Sequence, residues 1–391
     1  MPILMSLLIL WLSACKAKDT PTPTESLPKI SIATAEIVES NSQTLLSFKV
    51  SLDKKTDKTV TVNYKTIDDL AVAGSDFVAK SGTLTFAAQN TEGVIEVAII
   101  GDTLRENKES FYVELSNAVN AEISTNKASG VIYNDDYYIP VSNEGFSSPS
   151  TYPGYAFEWA DEFNSSEINA NNWGYDTGGN GWGNQELQNY TNRRDNSFIS
   201  DGKLVIEAVA ESFGGNNYTS ARLLSKGKKD FLWGRIDIRA KAPTGKGIWP
   251  ALWSLGSNIT QKNWPACGEI DIMEIIGKEP NNLYGTAHWG NVGATSSTYK
   301  TGKYTLPAGT FTDKFHVFTI IWQEDTIEWL VDDISFHKIT KADVGGNYPF
   351  NDKFFLIMNV AVGGLWPGPP DATTVFPQRM FVDYVRVFKK M

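Results

Sequence analysis

From Ile30 onward the chain alternates apolar and polar residues in short runs. Leu46-Ser47-Phe48-Lys49-Val50, Val60-Thr61-Val62-Asn63-Tyr64, Gly82-Thr83-Leu84-Thr85-Phe86 and Ile95-Glu96-Val97-Ala98-Ile99 are separated by Gly, Asn and Asp turns. Such alternation predicts half-buried strands, and several in succession predict a β-sandwich. This first module spans 30–136 and closes at Asn134-Asp135-Asp136. A Ser/Pro/Asn-rich stretch follows, so 137–153 reads as a linker. The alternation then resumes in Lys203–Ala208, Gly234–Lys241, Phe315–Trp322, Ile327–Val331 and Phe381–Phe388. No long segment carries the 3.6-residue apolar period of a surface helix. Residues 154–391 therefore read as one larger all-β domain.

The N-terminal end has a different pattern. Met1–Leu12 is an apolar run too short to span a membrane, and it reads as the core of a secretory signal. Leu12-Ser13-Ala14-Cys15 resembles a bacterial lipobox, although no Lys or Arg precedes the apolar run. The resemblance implies cleavage before Cys15 and acylation of that cysteine, so 1–15 is a signal and 16–29 a polar Thr/Pro/Lys tether. The expected location is the cell envelope, as a lipoprotein facing the periplasm or the outside, or else secretion. Contact with a membrane is expected only through that lipid anchor.

Composition narrows the partners. The net charge of −10 and pI near 5.0 exclude the basic footprint of a nucleic-acid binder and favour a neutral glycan over a sulfated one. Twelve tryptophans supply flat rings able to stack on sugars as well as to fill a core. Two cysteines, Cys15 and Cys267, imply no disulfide framework. The chain is expected to act as a monomer.

The candidate chemistry lies in Glu269-Ile270-Asp271-Ile272-Met273-Glu274. In a strand, residues i and i+2 share a face, so Glu269 and Asp271 point one way and the two isoleucines the other. A regular strand would turn Glu274 towards the isoleucines, burying a carboxylate in the core. One extra residue near Ile272-Met273, a β-bulge, would return it to the face of the other acids. Retaining glycoside hydrolysis needs two carboxyls roughly 5–5.5 Å apart, one as nucleophile and one as acid/base. Three close carboxyls also resist joint ionisation, which keeps one protonated for acid catalysis. Taken alone, the spacing fits a solvated acidic strand face equally well.

The flanking motifs alter that balance. Trp159-Ala160-Asp161-Glu162-Phe163-Asn164, Gly183–Thr191, Ser220-Ala221-Arg222-Leu223, Gly247–Trp253, the acid run, Gly285-Thr286-Ala287-His288-Trp289 and Asn359–Gly364 occur in this order. Together, over roughly Tyr155 to Lys389, they resemble glycoside hydrolase family 16, and within it the laminarinase-like endo-β-1,3-glucanases. The resemblance implies a β-jelly-roll sandwich with a substrate cleft on its concave sheet. Matched by position, Glu269 is the nucleophile, Asp271 its assistant and Glu274 the acid/base. Asn184, Arg222, Trp249, Trp253 and His288 are implied substrate contacts. Trp182, Trp264, Trp289 and Trp366 either build outer subsites or pack, and His316 and His337 read as structural. No cofactor is implied for catalysis. A structural Ca²⁺ is implied at Glu162, Gly202 and Asp383.

The implied reaction is retaining, endo-acting hydrolysis of laminarin-type β-1,3-glucan. The six-residue acid run with its bulge favours this over the five-residue form of lichenases. Agarase, lichenase or κ-carrageenase activity is the alternative within the family, and a non-catalytic glycan-binding protein is the alternative outside it. The first module, through Ala73–Phe77 with Asp76, Asp102, Glu106, Glu109 and Asn134–Asp136, resembles a Calx-β domain. That family has seven-stranded sandwiches, and some members bind Ca²⁺ through carboxylates gathered at one end, as a hard ion requires.

Overall fold

The computed structural model describes residues 26–391, so the signal, the lipobox and most of the tether lie outside the described residues. The chain divides into two compact units, 1–136 and 137–391. No helix among the described residues is long and apolar enough to cross a membrane. Strands dominate both units, and the only α-helix among the described residues is the single turn Lys341–Val344.

The first unit is a sandwich of a four-stranded and a five-stranded sheet. Two of its strands are broken and change sheets. Lys29–Ile32 pairs with Thr44–Leu52, whereas its continuation Ala35–Val38 pairs with Lys127–Tyr133 across the sandwich. Glu122–Thr125 and Lys127–Tyr133 divide in the same way. Counting each broken strand once turns the nine segments into the seven strands the resemblance implies. Phe48, Phe77 and Phe111 fill the middle, with Phe77 stacked on Phe111 at 4.2 Å.

The second unit stacks two antiparallel sheets. The sheet bearing the acids has seven strands, in the order Gly174–Asp176, Arg222–Leu224, Phe354–Val362, Ile248–Gly256, Glu269–Glu274, Asn282–Trp289, Thr298–Thr305. The back sheet is built around Gln378–Lys390, which pairs with Lys203–Ala208, Gly234–Lys241 and Tyr155–Asp161. Ile270, Ile272, Leu252, Met358 and Val360 meet Ile236, Ile238, Ile320, Val385 and Val387 between the sheets. Alternation along each strand sends the polar residues to the two outer faces.

Residues 137–153, read from sequence as a linker, instead lie on the outer face of the back sheet and belong to the second unit. Arg239, 1% exposed, donates from Nε to the Phe146 carbonyl, from Nη1 to Asn143 Oδ1 and from Nη2 to the Asn143 carbonyl. The Ser148 backbone N–H donates to the Tyr384 hydroxyl at 2.7 Å, and Arg386 Nη1 donates to the Ser148 carbonyl. Composition predicts a solvated connector here. Its polar groups are instead matched by outward-facing arginines whose position follows only from the fold.

Candidate active site

The acid strand carries the bulge. Against Ile248–Gly256, Trp253 pairs with Asp271 but Leu252 pairs with Met273, so Ile272 is the extra residue. Against the other neighbour, Asp271 pairs with Thr286 and Glu274 with Tyr284, again three steps facing two. Ile270, Ile272 and Met273 go into the core, and Glu269, Asp271 and Glu274 all line one cleft. Gly268 leads into the strand at φ +82°, where a Cβ would meet Pro349 and Phe354 at under 3 Å. A side chain there would push the acids out of register.

The cleft encloses about 750 Å³. Trp249 Nε1 donates to Glu274 Oε1 at 3.1 Å, and Trp264 Nε1 donates to Glu269 Oε2 at 2.8 Å. His288 Nε2 lies 3.3 Å from Asp271 Oδ2 and 3.9 Å from Glu269 Oε1, while its Nδ1 shares a 2.9 Å hydrogen bond with Ser297 Oγ. On the other side the Arg222 guanidinium sits between the rings of Trp182 and Trp253, 4.9 and 4.6 Å from their centres, with Nε 3.2 Å from Asp176 Oδ2. Trp253 Nε1 donates to Asn359 Oδ1 at 2.7 Å. Asn184 sits in the turn after Gly181, and its Nδ2 donates to Glu186 Oε1 at 3.3 Å. All eight catalytic and substrate-contact residues singled out from sequence therefore line one cleft.

Burial raises the pKa of all three acids. Burial raises Glu274 well above the usual carboxylate range, and the charges of Asp271 and Glu269 add to it. Glu269 is pushed up to about 8 by burial and then by Asp271, while His288, Trp264 and Arg222 pull it back. Asp271 is pushed up to about 8 by burial. Desolvation works against every charge here, and the donors around Glu269 offset it most.

Some cleft residues escaped sequence reasoning. Glu186, buried and raised by burial, accepts from Gln188 Nε2 at 2.7 Å and from the Tyr190 hydroxyl at 3.2 Å. Tyr284 packs edge-on to Trp366, which in turn meets Trp249, and Tyr299 lies over His288. Trp182, Trp264 and Trp366 line the cleft, whereas Trp289 packs in the core against Phe350. His316 pairs in the interior with Asp332 at 2.7 Å, and His337 packs against Trp329.

The residues proposed for calcium do not present a cage of carboxylates. The Glu162 carboxylate is gripped at both oxygens by Arg386 Nε and Nη2, at 2.7 and 2.8 Å, and Asp383 Oδ2 accepts from Arg239 Nη1 at 2.8 Å. Spacing showed the acids but not the arginines of the back sheet that face them. The first unit differs. Glu39, Asp135 and Asp136 place carboxylate oxygens within 4.8 Å of one another, and so do Asp76, Glu106 and Glu109. Glu39 is 4% exposed, and neither its Oε1 nor Asp136 Oδ2 has a hydrogen-bond partner. These donors fit a hard divalent cation. Glu39, which closes the first group, ends a strand with no acidic neighbour and gave no signal in the sequence.

Comparison with known proteins follows the same division. The profile of glycosyl hydrolases family 16 matches residues 184–386, and that of the Calx-beta domain matches 25–136. A beta-glucanase of Rhodothermus marinus is 41% identical over 251 residues, covering 61% of this chain and 86% of that protein. Glucan endo-1,3-beta-glucosidase A1 of Niallia circulans is 41% identical over 59% of this chain, which spans only 37% of that relative's length. The laminarinase catalytic domain of Thermotoga maritima is 47% identical with a TM-score of 0.56, covering 61% of this chain and 99% of that one. The chain belongs to glycosyl hydrolases family 16, and its catalytic unit has that family's jelly-roll fold.

Proposed function

We propose that this chain is a retaining endo-β-1,3-glucanase that cuts laminarin-type polysaccharide as a monomer. The observation that carries the reading is the bulge at Ile272, which sets Glu274 beside Glu269 and Asp271 on the cleft wall. Glu269 attacks the anomeric carbon. As the glycosidic C–O bond breaks, Glu274 gives its proton to the departing oxygen, leaving a glycosyl ester on Glu269. Glu274, now a carboxylate, takes a proton from water, whose oxygen attacks the same carbon and frees Glu269. Asp271 and His288 hold Glu269 in place, and Trp249, Trp253, Arg222 and Asn184 line the sugar path. β-1,3-Glucan as substrate is supported by the relatives' activities and by a cleft that is rich in tryptophan and has few cations.

Fresh product followed by NMR from laminarin should carry the β-anomer, and an initial α-anomer refutes retention. Glu269→Ala should abolish turnover while laminari-oligosaccharides still bind, and normal hydrolysis by that variant removes Glu269 as nucleophile. A panel of laminarin, mixed-linkage glucan and agarose tests the substrate class.

For the first unit we infer a Ca²⁺-binding end. Glu39, Asp135 and Asp136 would form one set of oxygen ligands, and Asp76, Glu106 and Glu109 the other. Bound there, the ion would neutralise carboxylates that now repel one another.

A further inference from the structure

Three atoms of the cleft that surround the nucleophile also stand at the spacing of a metal site. His288 Nε2 stands 3.3 Å from Asp271 Oδ2 and 3.9 Å from Glu269 Oε1. Ligand atoms held 2.0–2.2 Å from a tetrahedral ion lie about 3.3–3.6 Å apart. The first distance is already such an edge, and the second needs a shift of roughly 0.5 Å. Asp271 is 3% exposed, and its Oδ2 has no hydrogen-bond partner, which is costly for a buried carboxylate oxygen. Trp264 holds Oε2 of Glu269, which leaves Oε1 facing the histidine. Ser297 holds the other ring nitrogen of His288, the outer contact that fixes a ligating imidazole.

We propose that Glu269, Asp271 and His288 form a three-ligand site for a borderline transition-metal ion, Zn²⁺ or Cu²⁺, and that its occupation switches hydrolysis off. One imidazole and two carboxylates suit such ions, and the open cleft leaves a fourth position to water. Ca²⁺ needs more oxygens than two carboxylates supply, and neither Ca²⁺ nor Mg²⁺ favours an imidazole ligand. The carboxylate groups of the first unit offer oxygen only, so Ca²⁺ can be used to fill them. The ion takes the oxygen with which Glu269 would attack. The off-switch therefore rests on the proposed role of Glu269, whereas the site itself does not.

The test adds ZnCl₂ to the full chain in phosphate-free buffer saturated with Ca²⁺, and reads binding by calorimetry and laminarin hydrolysis in parallel. We expect one Zn²⁺ per chain, inhibition reversed by EDTA and no inhibition by added Ca²⁺. His288→Gln should remove that binding event. Ser297→Ala, which leaves every ligand in place, should weaken it roughly ten- to hundredfold with an unchanged melting temperature. Addition of CoCl₂ should give the intense visible absorption of a tetrahedral ion in wild type and not in His288→Gln. Zn²⁺ binding of equal strength in both variants, or none in wild type, overturns the site. Binding that His288→Gln removes, with hydrolysis undiminished in the wild type, upholds the site and overturns Glu269 as nucleophile.

Discussion

Two indole N–H groups aim at two carboxylates: Trp249 at Glu274 and Trp264 at Glu269. The donor to Glu269 lowers the cost of its negative charge in a buried place. Trp264→Phe keeps the ring and removes the donor. A hydrogen bond to a charged group contributes about 1.5–3 kcal/mol, so kcat should fall roughly ten- to hundredfold with KM nearly constant. With the donor gone, the pKa of Glu269 rises, and the acid limb of the kcat/KM profile should move to higher pH. An unmoved limb means that Trp264 only packs. The acids themselves were legible because their spacing makes sense on one face only with an added residue. Trp264 and Ser297 were not legible as partners, because loop folding rather than strand period brings them to Glu269 and His288. Arg386 and Arg239, which meet the carboxylates of Glu162 and Asp383, were not legible either, because strand pairing brings them there.

Among the elements, the strap 137–153 departs most from the sequence pattern. Its Ser, Pro and Asn content is that of a connector, yet the outward face of Gly234–Lys241 supplies buried Arg239 to its carbonyls. A fragment beginning at residue 154 should therefore be less stable than one beginning at 137. Loss of the charged hydrogen bonds to Asn143 and Phe146 costs at least about 3 kcal/mol, or roughly 6–12 °C in a domain of this size. Differential scanning calorimetry of the two fragments reads this, and equal melting temperatures refute it. Activity per folded molecule should not change, because the strap lies on the face opposite the acids. The strands were more legible. Period-two runs such as Gly234–Lys241 and the closing run around Phe381–Phe388 appear as strands at their expected places. What the pattern hides is sheet order, which long-range pairing decides.

In the whole molecule, the two units carry different electrostatic burdens. In the first, burial and neighbouring acids push both Glu39 and Glu109 up to about 7 from an ordinary 4.5. The folded unit then binds more protons than the unfolded chain between about pH 4.5 and 7, so its stability falls as pH rises through that window. Without Ca²⁺, the melting transition of this unit should drop from pH 5 to pH 7. Millimolar Ca²⁺ should restore it at pH 7 and do little at pH 5, where protons already neutralise the acids. A transition independent of both pH and Ca²⁺ removes the cation site. The split into two all-β units was legible in composition and period. The boundary fell later in the sequence reading than in the structure, because the strap looks like a tether.

The strap also bears on how the catalytic unit is held. The chain enters this unit along the outer face of the back sheet, and the acids look out from the other side of the sandwich. A force applied along the chain at Tyr137 therefore acts on the face of the catalytic unit opposite the acids. Load from that direction falls first on the hydrogen bonds to Arg239, Tyr384 and Arg386, before it reaches the strand that bears Glu269 and Glu274. Strain in the strap is thereby kept apart from the geometry that the cleft needs.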